Sequence, residues 1–137
     1  MVFGKEIMMA DKNEKKTFRD LIVWRKSVDL AKVIYRMTQA MPNEERFGLT
    51  TQMRRAAVSI PSNIAEGNAR QTLSDYLHFL AIARGSLAEL ETQILIAQEL
   101  DMIKQTDQAS SLLAEVDRML QALIRSLQEK RSRLKSS

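Results

Sequence analysis

The stretch Leu49–Gly67, LTTQMRRAAVSIPSNIAEG, decides the fold. Its apolar positions Leu49, Met53, Ala56, Ala57, Ile60 and Ile64 recur at helical spacing. Pro61 lies inside that pattern. A proline there removes one backbone donor and presses on the carbonyl four residues back, at Ala57, which predicts a kinked helix. Arg55, Ser59, Asn63 and Glu66 follow at steps of four, four and three, so they share one face. Gly67 reads as a C-cap able to take a left-handed backbone. The small residues Ala56, Ala57 and Ala65 would let another helix come close.

Upstream, Thr17 and Asp20 have the spacing of a capping box, which starts a first helix after Thr17. Its core stripe is read as Leu21, Trp24, Val28, Ala31, Tyr35 and Thr38. A second stripe, Val23, Leu30, Ile34, Met37 and Met41, runs beside it. This apolar face is too wide for a helix that meets one neighbour only. Pro42 ends the helix. Downstream, Thr72 and Asp75 open a long third helix to about Leu100, with the seam Tyr76, Leu80, Ala83, Leu87, Leu90, Ile94 and Ala97. Gly85 costs helix stability, about 1 kcal/mol against alanine. Close packing of a neighbour is the simplest reason to keep it. A fourth helix starts near Thr106 or Asp107 and packs through Leu112, Leu113, Val116, Met119, Leu120, Leu123, Ile124 and Leu127, fraying beyond Lys130. The prediction is an all-α, antiparallel up-down-up-down four-helix bundle with its second helix kinked at Pro61. The bundle spans residues 18–130. A polar tail covers 1–17, where Met8 and Met9 offer alternative starts, and a basic tail covers 131–137.

The chain has 137 residues, a formal charge of +4 and no cysteine, which excludes disulfides and thiolate metal sites and suits a reducing cytoplasm. No apolar run approaches the roughly 20 residues that span a bilayer. The first 16 residues lack the apolar core of a secretory signal. The positive excess is uneven. Residues 18–41 carry five positive and two negative side chains, and residues 71–105 carry two and five. Residues 106–137 carry six and four, most of the positives in Lys130, Arg131, Arg133 and Lys135.

Catalytic patterns are missing. His78 is the single histidine, and there is no glycine-rich phosphate loop, HExxH or GxSxG. Glu89 and Glu91 face different sides of their helix. The chain is read as no enzyme, with no cofactor and no metal site. The face bearing Arg55, Ser59, Asn63 and Glu66 has two readings: a phosphate or base site, or a hydrogen-bond network that holds the kinked helix and satisfies the freed Ala57 carbonyl. The second is favoured, and with it an interface or packing role for Ser59, Pro61, Asn63, Glu66, Gly67 and Gly85. Trp24 and Tyr35 are read as core rather than as stacking platforms. Candidates for nucleic-acid contact are the basic residues Arg25, Lys32 and Arg36 on the first helix, Arg54 and Arg55 on the second, Arg70 in the following turn, and Lys130, Arg131 and Arg133 at the C-terminus.

The segment RRAAVSIPSNIAEG (Arg54–Gly67) resembles the signature of the bacterial rRNA intervening-sequence proteins, a four-helix-bundle family. FRDLIVWRKSVDLAKVIYRMT (Phe18–Thr38), PNEERFGLTTQ (Pro42–Gln52) and FLAIARGSLAELETQILIA (Phe79–Ala97) extend the resemblance over residues 18 to 103. It implies a homo-oligomer, by resemblance a homopentamer, associated with RNA or DNA. A similar fold serves the reverse transcriptase of diversity-generating retroelements as an accessory subunit, which makes such an enzyme a further implied partner. The alternative function is a protein–protein scaffold that binds no nucleic acid.

Overall fold

The structure, a computed structural model, describes residues 17–136. Four α-helices follow one another: α1 (Ile22–Thr38), α2 (Leu49–Asn68), α3 (Leu73–Glu99) and α4 (Asp107–Ser136). Short 3₁₀ turns occupy Phe18–Asp20 and Asn43–Glu45. There is no strand among the described residues, and the chain is an all-α four-helix bundle. The expected tail 1–17 lies outside the described residues except for Thr17.

Helices α1 and α3 each pack on both α2 and α4, so they lie across the core from one another. Ser59 of α2 meets Ser86 of α3, and Gly67 meets Tyr76 and Phe79, so this pair runs antiparallel. Gln98 bonds Thr106 where α3 passes into α4, and Arg131 reaches Ser74 at the other end, so α3 and α4 are antiparallel too.

The core is one apolar cluster. It takes Leu30 and Ile34 from α1, Met53, Ala57, Ile60 and Ile64 from α2, Leu80, Ala83 and Leu90 from α3, and Val116 and Leu120 from α4. Burying each of the larger side chains contributes about 1.5–3 kcal/mol. The α3 seam agrees with the sequence reading at every position, from Tyr76 to Ala97.

In α1 the two stripes exchange roles. Val23, Leu30, Ile34 and Met41 are buried, with Ser27, Val33 and Thr38 beside them. Of the stripe expected to be core only Thr38 is buried; Leu21, Trp24, Val28 and Ala31 are half-buried, and Tyr35 is 44% exposed. Branched aliphatics fill the dry side, while Trp24, half-buried, and Tyr35, exposed, sit at its margins. Phe18 covers Trp24 edge-on, ring centres 5.1 Å apart.

The helix ends follow local hydrogen bonding. Thr17 and Asp20 form the expected capping box, but it caps the turn Phe18–Asp20, and α1 begins only at Ile22. Helix α1 stops at Thr38, short of Pro42; the Thr38 hydroxyl donates to the Ile34 carbonyl at 2.7 Å. Thr72 accepts from the Asp75 N–H at 3.1 Å and caps α3. After α3, Asp101 takes a left-handed backbone, φ 58°. Its N–H bonds Gln98 O at 3.0 Å and the Met102 N–H bonds Ala97 O at 2.8 Å, which is a Schellman end without its usual glycine.

Three further sequence expectations are corrected. Gly67 is no left-handed cap: α2 continues through it to Asn68, and none of the described glycines has a positive φ. Its missing side chain admits α3. Gly85, expected at a close crossing, has no other helix against it: among the described residues a Cβ there would meet nothing within 4 Å. Finally, α4 does not fray beyond Lys130 but stays helical to Ser136, whose hydroxyl donates to Ser132 O at 2.9 Å. Basic side chains in its last turn suit the negative end of the helix dipole. Among the described residues no helix is long and apolar enough to cross a membrane.

Candidate nucleic-acid interface

Basic side chains are useful to a phosphate only where they are presented to solvent and not spent on internal contacts. On α1, Arg25, Lys32 and Arg36 project on one side at steps of seven and four, all exposed. Arg25 pairs with Asp29 at 2.9 Å and lies over the Trp24 ring. Exposed pairs of this kind contribute little, typically 0.2–1 kcal/mol. Lys26 reaches across to Glu115 of α4 at 3.4 Å. Lys32 and Arg36 enter none of the ion pairs among the described residues. They rim a groove of about 350 Å³ between α1 and α2, lined also by Val28, Tyr35, Val58 and Pro61.

Other candidates are engaged inside the fold. The Arg54 guanidinium stacks over Tyr35 at 4.7 Å, and its Nε donates to Thr38 Oγ1 at 2.9 Å, so it ties α2 to α1. Arg70 pairs with Glu66 at 3.1 Å and covers the Phe79 ring at 4.7 Å. Arg55 is exposed on α2.

The C-terminal run differs from its expectation as a tail. Because α4 persists to Ser136, Lys130, Arg131 and Arg133 ride on a helix of fixed shape. Arg131 donates to Ser74 Oγ at 3.4 Å, which puts this end of α4 beside the start of α3. The α2–α3 turn that holds Arg70 is at the same end. Arg125, Gln128, Glu129, Ser132 and Arg133 line a shallow recess on α4. Sequence reasoning passed over Arg118 and Arg125. From Arg118 to Ser136, six side chains are basic and one, Glu129, is acidic. Counting the whole fourth segment hid this, because Asp107, Glu115 and Asp117 fall in its first part.

The polar face of α2 is a network. Asn63 Nδ2 donates to Ser59 O at 2.8 Å and to Ser59 Oγ at 2.9 Å, and Ser59 Oγ lies 2.8 Å from Ser86 Oγ. The Asn63 amide thus serves the Ser59 carbonyl, not that of Ala57 as the sequence suggested. Pro61 is buried within this helix, and Gly67 is buried against α3. Among the described residues no group of three or more His, Asp or Glu side chains could hold a metal ion.

The family model for the 23S rRNA-intervening sequence protein matches residues 19–125. This chain belongs to that family. Its 23S rRNA-intervening sequence signature therefore spans all of α1 to α3 and most of α4. A crystal structure of a Bacteroides thetaiotaomicron protein of unknown function, from the S23 ribosomal protein family, is similar to it. The two are 25% identical with a TM-score of 0.65, over 75% of this chain and 98% of the other. No curated protein matches the chain.

Proposed function

We propose that this family member is a non-enzymatic homo-oligomer that binds nucleic acid, RNA in the first place, through a basic surface. One observation carries the reading: from Arg118 to Ser136, α4 is a continuous helix with six basic side chains and one acidic. Such a surface attracts phosphate without reading sequence. Membership of a family named for intervening sequences in 23S rRNA supports RNA as the polymer. Self-association is supported by the apolar side chains left in solvent on the helices, Ile82, Leu95 and Ile96 among them. A ring of five is what the family resemblance implies. Repetition of a weak basic patch around a ring would raise its avidity.

The test combines mass and binding. Light scattering of the full chain at micromolar concentration should give a multimer, and fluorescent single-stranded and structured RNA should both bind at low salt. A monomer of about 15.7 kDa removes the oligomer. A multimer that binds neither RNA makes the protein a scaffold for other proteins.

A further inference from the structure

The outer face of α3 and the groove between α1 and α2 are opposite in charge and alike in being apolar. In the groove, Tyr35 is 44% and Val58 42% exposed, with Val28 and Pro61 beside them and Lys32 and Arg36 on the rim. On α3, the side turned away from the buried seam carries Ala81, Ile82, Gly85, Ala88, Glu89 and Ile96, all exposed. Ile82 is 41% and Ile96 43% exposed. The segment around it, residues 71–105, has five acidic and two basic side chains, against five basic and two acidic in residues 18–41.

We infer that copies of this chain join head to tail, the α1/α2 groove of one receiving the α3 outer face of the next. The inference rests on the self-association reading and says which surfaces meet. Charge selects this pairing over its alternatives. Two α3 faces brought together would oppose Glu89 to its own kind, and two grooves would oppose Lys32 and Arg36 to theirs. Groove against α3 face sets Lys32 and Arg36 near Glu89 and covers the apolar side chains of both. Gly85 fits this arrangement. A Cβ built at Gly67 would meet Phe79 and Tyr76, whereas one at Gly85 would meet nothing within 4 Å. The protomer therefore gains no internal contact from a residue that weakens helix α3. A neighbouring copy seated on α3 gains a close approach there. Since α1 and α3 lie across the core from one another, each copy can offer both surfaces at once. Such contacts are heterologous, and they end in a closed ring when the rotation between copies closes.

Lys32, Arg36 and Glu89 enter none of the ion pairs among the described residues, so reversing their charges should leave the protomer folded. The experiment uses two variants of the full chain, Lys32→Glu with Arg36→Glu, and Glu89→Lys, with helical circular dichroism as the folding check. Each alone should weaken assembly, seen by light scattering as an association constant lower by about tenfold or more. Mixed in equal amounts they should assemble again, because each reversed surface finds its complement on the other variant. Gly85→Leu should also lower the assembled mass without lowering the helical signal. A wild-type chain that stays monomeric ends the self-association reading and this pairing with it. A wild-type multimer whose mass is untouched by all three variants overturns the pairing alone.

Discussion

A methyl group placed on Gly67 would sit 2.9 Å from the Cβ of Phe79, closer than packed carbons approach. The Tyr76 ring and carbonyl are nearly as near, at 3.0 and 3.1 Å. Here the bare backbone of α2 at Gly67 lies directly against Phe79 and Tyr76 of α3. Gly67→Ala should therefore destabilise the fold, by about 1–3 kcal/mol of overpacking against about 1 kcal/mol of helix propensity gained. Urea unfolding checks the sign, and a raised midpoint would show that α3 shifts aside at no cost.

The end of α3 offers the opposite change. Asp101 holds a left-handed backbone that glycine takes without steric cost, and its carboxylate sits at the negative end of the helix dipole. Asp101→Gly should stabilise by up to about 1 kcal/mol. The thermal midpoint of the variant measures it. An unchanged or lower midpoint would mean that glycine's freedom in the unfolded chain outweighs both gains.

Tyr76 makes stability depend on pH at the alkaline end. Burial pushes its phenol above the ordinary value of 10.0, and the hydrogen bond from Asn68 Nδ2, 3.2 Å long, partly opposes this. Above pH 10 the unfolded chain releases this proton while the folded chain keeps it, so stability falls as pH rises toward the folded value. Tyr76→Phe should remove that component. Its stability relative to wild type should improve between about pH 9 and about pH 11. Parallel curves across that range would show that Tyr76 titrates normally.

The seams of α2 and α3 were legible in the sequence because one uninterrupted apolar stripe runs along each. Helix α1 carried two stripes of similar apolarity, and periodicity alone could not say which one the bundle would cover. The two glycines of interest look equivalent in sequence. Which one admits a neighbour depends on where the adjacent helix lies, and only Gly67 faces one. Charge was legible in amount but not in availability. Arg54 and Arg70 read as surface arginines, yet tertiary stacking on Tyr35 and Phe79 engages both. The serine–asparagine network was anticipated as a face of α2, but its partner Ser86 lies 27 residues on, beyond any local pattern.

The salt dependence of RNA affinity tests the central claim most directly. Phosphate contacts release counterions, so the logarithm of the wild-type affinity should fall steeply and linearly with the logarithm of salt concentration. Exchanging Arg125, Lys130, Arg133 and Lys135 for glutamine should flatten that slope by about three, at about 0.7 per contact on single strands, for every RNA sequence alike. A variant that binds RNA with the wild-type slope would contradict the assignment of phosphate contacts to α4, and a wild-type protein that binds no RNA at low salt would contradict the nucleic-acid function itself.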